Sequence, residues 1–134
     1  MTGLWFVSPE VLISWAAREA LASRGDDLAA QVLLTRAGQA VVRAVLAVNR
    51  VYLPHPLIKW QRHLITGLEV VPERLAERLE SVSASPPAEA FRAAEALLED
   101  TAALAEAHTD ADLGAFRQAL AERRRPLDPS RVGR

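Results

Sequence analysis

Apolar side chains recur along this chain at three- and four-residue intervals, with β-branched residues interleaved among Ala, Leu, Glu and Arg. Strict alternation is nearly absent and no Asn-Gly or Asp-Gly hairpin turn occurs, so the pattern predicts helices and argues against strands. The expectation is an all-α bundle of five or six helices with one long central helix. Ser8 and Pro9 form an N-cap and first-turn pair that opens a helix to about Ser23, and Gly25 is placed to end it. Asp26 and Asp27 favour the amino end of a second helix, Leu28 to about Val51, which Pro54 and Pro56 stop. Pro56 starts a third, Leu57 to Thr66, closed by Gly67. Pro72 starts a fourth, about Glu73 to Glu80. Residues 81–87, Ser-Val-Ser-Ala-Ser-Pro-Pro, read as a small-residue linker and the best candidate for a flexible joint. Ser85 and the prolines open a fifth helix to about Ala107. Thr109 and Asp112 have the capping-box spacing that begins a sixth, ending near Arg125. Pro126, Pro129 and Gly133 mark a frayed tail. One helical domain over residues 1–125, followed by a flexible tail at 126–134, is expected.

The second helix carries the most architectural information. Leu28, Val32, Leu33, Leu34, Val41, Val42, Val45, Leu46 and Val48 cover most of its circumference, which predicts a helix surrounded by others. One stripe stays polar. Arg36, Arg43 and Arg50 recur every seventh residue, with Gln39 beside them. Planar guanidinium forks suit phosphate oxygens, and a line of them makes a local positive field, so Arg36 and Arg43 form a candidate phosphate-facing stripe. The alternative is a solvated or ion-paired face. Residues 36–78 hold seven basic and three acidic side chains, whereas residues 89–112 hold seven acidic side chains and one arginine, Arg92. An acidic helix packed across a basic one accounts for both.

Composition narrows the classes. A chain of 134 residues is one domain, and it buries about two-thirds of its unfolded surface, enough for a core without staples. The absence of Cys excludes thiolate metal sites and thiol catalysis and points to a cytoplasmic setting. A net charge of -1 makes a nucleic-acid partner unexpected. Met1 to Phe6 lacks a signal-peptide start, and the three stripe arginines interrupt the most apolar stretch, so no membrane span is expected. His55, His63 and His108 lack metal-ligand spacing, and Asp110 with Asp112 reads as a first helical turn. No nucleophile elbow or phosphate-binding glycine loop is present, so no catalytic residue and no metal are assigned.

Residues 49–63 concentrate the chemistry: the only Tyr and Lys, two of the three His and one of the three Trp. A proline-bounded corner between helices is a rigid loop on a scaffold, a usual place for binding groups. Lys59, Arg62 and His63 fall within little more than one helical turn, and Trp60 offers a flat face for stacking a base or ring. Equally, Tyr52 and Trp60 can seal the corner as core residues while Lys59 and Arg62 meet water. Arg50 and His55 also have the Arg-four-residues-His spacing of a helical ribonuclease family of toxin systems, but Pro54 breaks the continuous helix such a site requires.

Leu46-Ala47-Val48-Asn49-Arg50-Val51-Tyr52-Leu53-Pro54, together with Arg24-Gly25-Asp26 before it and Lys59-Trp60 after it, resembles the helical carboxy-terminal half of a nucleotidyltransferase-like family, catalogued as domain of unknown function 4037. The resemblance covers residues 10–80, and Pro56-Leu57-Ile58 lengthens the gap before Lys59. It implies a helical substrate-binding or partner domain that is not catalytic alone. The family's Gly-Ser motif and paired metal-binding aspartates have no counterpart here. The implied partner is therefore a nucleotidyltransferase catalytic domain in cis or in trans, and magnesium-nucleotide would bind only with that domain. Asn49, Arg50, Tyr52, Lys59 and Trp60 would face the cleft between the halves and touch substrate or nucleotide. The alternative is a small helical protein–protein interaction module, a homodimer joined through Leu4, Trp5 and Phe6 or through the fifth helix.

Overall fold

The computed structural model describes residues 12, 14–51 and 65–122, and among these the chain is all helix, with no strand. Five helices are defined: α1 (Arg18–Arg24), α2 (Asp27–Val48), α3 (Leu75–Ala84), α4 (Pro87–His108) and α5 (Gly114–Ala121). Two of them, α2 and α4, are 22 residues long and pack along each other. The sequence singles out one long helix; the structure has two of equal length. Helix α3 lies against both, α1 contacts both, and α5 closes on α4.

Alanine fills much of the buried surface. Ala30, Ala37 and Ala44 repeat every seven residues on α2 and are at most 1% exposed, and Ala90, Ala94, Ala102 and Ala105 are buried on α4. Side chains this small let helix axes approach closely, and each loses no rotamer entropy on burial. Leu33, Leu34, Val41, Val45, Leu97, Leu98, Leu113, Phe116 and Leu120 supply the volume between them. Thr101 is fully buried, and its hydroxyl donates to the Leu97 carbonyl at 2.7 Å, so its polar atom is satisfied within its own helix.

Helix α2 is not enclosed on all sides as its apolar circumference predicts. Leu28 is 80% exposed and Val32 46% exposed, so its first turns leave an edge open. By length and composition α2 could cross a membrane, with a mean hydropathy of 1.2 over its most apolar stretch, half of which is buried within the protein. Of the three stripe arginines only Arg36 and Arg43 fall within α2, and two charges leave its mean hydropathy in the range of a spanning segment. A core helix of a globular fold meets the same criteria, and the packing of α2 is compatible with a soluble protein.

Several boundaries differ from expectation for identifiable reasons. Gly25 ends α1 as expected: at φ 71° it lets its own N–H reach the Ala22 carbonyl and the Asp26 N–H reach that of Leu21. The start at Ser8-Pro9 lies outside the described residues. Helix α2 stops at Val48, before either proline, because the chain turns left-handed at Arg50. Of the third expected helix only the last two residues, Ile65 and Thr66, are described, and both are helical. Helix α3 begins after a left-handed Arg74, later than Pro72 suggests, and runs to Ala84 because Val82 anchors its end in the core at 5% exposure. The small-residue stretch is therefore mostly helix, and the joint shrinks to Ser85 and Pro86, with the Ser85 hydroxyl donating back to the Ser81 carbonyl. Thr109 and Asp112 do not form a capping box. The Thr109 hydroxyl donates to Ala105 at the end of α4, while Asp112 accepts the Gly114 N–H, which delays α5 to Gly114. That helix ends at Ala121, short of Arg125, and the expected tail at 126–134 lies outside the described residues.

One polar residue sits inside this packing. Arg18 is 2% exposed, and its guanidinium donates to the carbonyls of Trp15 (2.7 Å), Leu120 (2.9 Å) and Glu122 (3.2 Å) and to the Glu95 carboxylate (3.1 Å). It also stacks on the Trp15 ring, 5.6 Å from the centroid, and Trp15 meets Phe91 edge to face at 5.3 Å. One side chain thus joins α1, α4 and the end of α5. Removing a buried, fully bonded ion strands its partners, so Arg18→Met is expected to destabilise the fold by about 3–5 kcal/mol in urea denaturation. Arg18→Lys retains charge but not the four-way fork, and should recover less than half of that loss.

Candidate functional site

The corner singled out by the sequence begins where α2 ends. The Arg50 N–H bonds the Ala47 carbonyl at 3.0 Å and the Val51 N–H that of Leu46 at 2.9 Å, the same paired closure that Gly25 makes after α1. Here the left-handed position belongs to Arg50, at φ 57°. A non-glycine residue in that region carries about 1 kcal/mol of backbone strain, which glycine would relieve. The Arg50 side chain is exposed.

Asn49 stabilises this strained turn. Its Nδ2 donates to the Val45 carbonyl at 2.8 Å and to the Val70 carbonyl at 2.7 Å, and its Oδ1 accepts the Val70 N–H at 3.0 Å. The side-chain amide therefore pairs with the main chain at Val70 as a neighbouring strand would, and ties the segment before α3 to the end of α2. Both amide hydrogens are used within the fold, so Asn49 positions the corner. A short amide immediately before the left-handed residue is the signal in sequence for this role.

The remaining expected site residues are distributed as follows. Arg36 and Arg43 are both exposed on α2, and Arg43 has no ion pair among the described residues. Tyr52, Lys59 and Trp60 lie outside the described residues, as do His55, Arg62 and His63 and the dimer candidates Leu4, Trp5 and Phe6. The acidic helix, α4, receives ion pairs from three directions: Arg18 to Glu95 at 3.1 Å, Arg78 of α3 to Asp100 at 2.8 Å, and Arg117 of α5 to Glu106 at 2.9 Å. Arg117 also approaches Glu99 at 3.8 Å, beyond hydrogen-bond reach. Only Arg78 among these donors comes from the basic stretch at 36–78. Among the described residues no group of three or more side chains could hold a metal ion.

Two concavities accompany these side chains. A cleft of about 360 Å³ lies between α1 and the first turns of α4, lined among others by Arg18, Glu19, Ala22, Phe91, Arg92 and Glu95. A shallower one of about 300 Å³ runs along α2 between Gln31, Val32, Thr35, Arg36 and Gln39. Sequence reasoning passed over Arg18, although its position three residues after Trp15 and three before Leu21 puts a cation on an apolar helix face.

The Asn49 network makes a measurable demand on the fold. Asn49→Ala leaves the Val70 N–H and carbonyl without their partner and is expected to cost about 2–3 kcal/mol in denaturant unfolding. Asn49→Asp should be no better, because an oxygen then faces the carbonyls of Val45 and Val70. No protein-family model, curated protein or solved structure matches this chain.

Proposed function

We propose that this chain is the helical substrate-binding or partner domain of a nucleotidyltransferase-like protein, working in the cytoplasm and performing no chemistry alone. The catalytic domain, in cis or in trans, supplies the magnesium-nucleotide, and the corner after α2 contacts the substrate or nucleotide. The observation that carries this reading is Arg50. An exposed arginine is held in a left-handed backbone conformation that glycine would occupy with less strain, directly after the anchored Asn49. Strain retained where a better residue exists is a signature of binding and switching sites.

In this reading the roles within the corner divide. Asn49 fixes the turn, and Arg50 presents a fork of donors that suits phosphate or carboxylate oxygens. Tyr52, Lys59 and Trp60, placed next in the chain, complete the contact by stacking and charge. Arg43, one heptad before Arg50, extends the positive field along the approach, with Arg36 one heptad further.

The reading separates cleanly from a purely structural role. Arg50→Gly is expected to raise stability by about 1 kcal/mol while weakening a magnesium-nucleoside triphosphate about tenfold or more, followed by tryptophan fluorescence with the catalytic domain present. Lys59→Ala should weaken it without the gain in stability. Stabilisation by Arg50→Gly with unchanged affinity, or no response in the unsubstituted protein, overturns the reading.

A further inference from the structure

Helix α2 carries a seven-residue repeat that the fold uses over only half of its length. One seam of the repeat begins Leu28, Val32, Thr35, Gln39 and continues Val42, Leu46, at alternating spacings of four and three. Its second half is filled by the protein itself: Val42 and Leu46 are 3% and 6% exposed and belong to the core. Its first half is open. Leu28 is 80% exposed, Val32 46%, and Thr35 and Gln39 are exposed as well, beside the shallow groove along this helix.

We propose that the open half, residues 28–39, is a docking seam for an acidic amphipathic helix of another protein. The surface is about 18 Å long at the rise of an α-helix, which accommodates three turns of a partner. An isolated pair of exposed residues means little, but Leu28 and Val32 are successive positions of a seam already packed farther along. The charge of the partner follows from the flank. Arg36 and Arg43 occupy equivalent positions beside the seam, where side chains of paired helices meet across the interface. Both are exposed, and Arg43 has no carboxylate partner among the described residues. A carboxylate at the facing position of the incoming helix complements Arg43. A second copy of this chain in parallel register would set Gln31 and Gly38 there, which bring no charge. This seam lies toward the opposite end of α2 from the corner at Asn49 and Arg50; the two readings share Arg36 and Arg43, and because the peptide titration below is made without nucleotide their failures are distinguishable.

The probe is a labelled three-heptad peptide with Leu at both seam positions and Glu at both flanking positions, titrated against the full chain by fluorescence anisotropy. Its control carries Lys in place of each Glu. The acidic peptide is expected to bind, the basic one at least about tenfold more weakly, and added salt should narrow the difference. Arg43→Glu should reduce that preference about tenfold. Val32→Asp should remove binding of both while leaving the circular dichroism spectrum and melting temperature in place, since the side chain is half exposed. Equal binding of the two peptides, no binding of either, or full binding to Val32→Asp overturns the proposal. So does a two-chain mass in light scattering that Val32→Asp converts to one chain, which would assign the seam to a second copy.

Discussion

The fold depends on a single buried cation. Arg18 is the one charged side chain among the described residues that is taken fully out of water, and it is tolerated because four acceptors converge on it. Desolvating a guanidinium costs several kcal/mol, an expense only a complete set of partners offsets. Those partners come from the turn before α1, from α4 and from the end of α5, and lie up to 104 positions from Arg18 in sequence. The hydrophobic effect collapses alanine-rich helices without strongly preferring one register over another. A fork of donors with fixed directions does prefer one. The Trp15 ring beneath Arg18 and the Phe91 edge against Trp15 extend that constraint into the apolar core.

Helix ends repeat the same theme of local geometry set by distant contacts. After α1 and after α2 the chain closes with the same two backbone hydrogen bonds, yet one closure uses Gly25 and the other Arg50. The second is sustained by the Asn49 amide, which bonds the helix it leaves and the segment before α3 together. Ion pairs are arranged with comparable economy. Acidic α4 is neutralised from α1, α3 and α5, which leaves the arginine side of α2 directed outward over its exposed stretch.

The two ends of α2 differ. At the carboxyl end the Asn49 amide is bonded into the fold while the Arg50 side chain is exposed. At the amino end, a heptad seam begins outside the core and ends within it. One helix thus serves as scaffold, boundary and surface, which its sequence, apolar nearly all round, does not by itself distinguish.

The all-helical class, the glycine that ends α1 and the long α2 were legible because periodicity and a left-handed glycine are local signals, set by backbone sterics and side-chain spacing. So was the course of α4, expected from Ser85 to Ala107 and found from Pro87 to His108. The small residues at 81–84 misled because Val82, an unremarkable member of a polar run, is held in the core by α3's neighbours. The capping spacing of Thr109 and Asp112 misled because the Thr109 hydroxyl oxygen accepts the Ala111 N–H in a local turn and not that of Asp112. Asn49 stood out in the sequence by its place in the corner, but its bond to the backbone of Val70, twenty-one residues on, was not legible there. Sequence by itself determined which segments coil, because helix formation is governed by neighbours one turn away. Only tertiary structure decided which polar side chains build the fold and which face outward, because hydrogen-bond partners and burial are set by segments that meet in space.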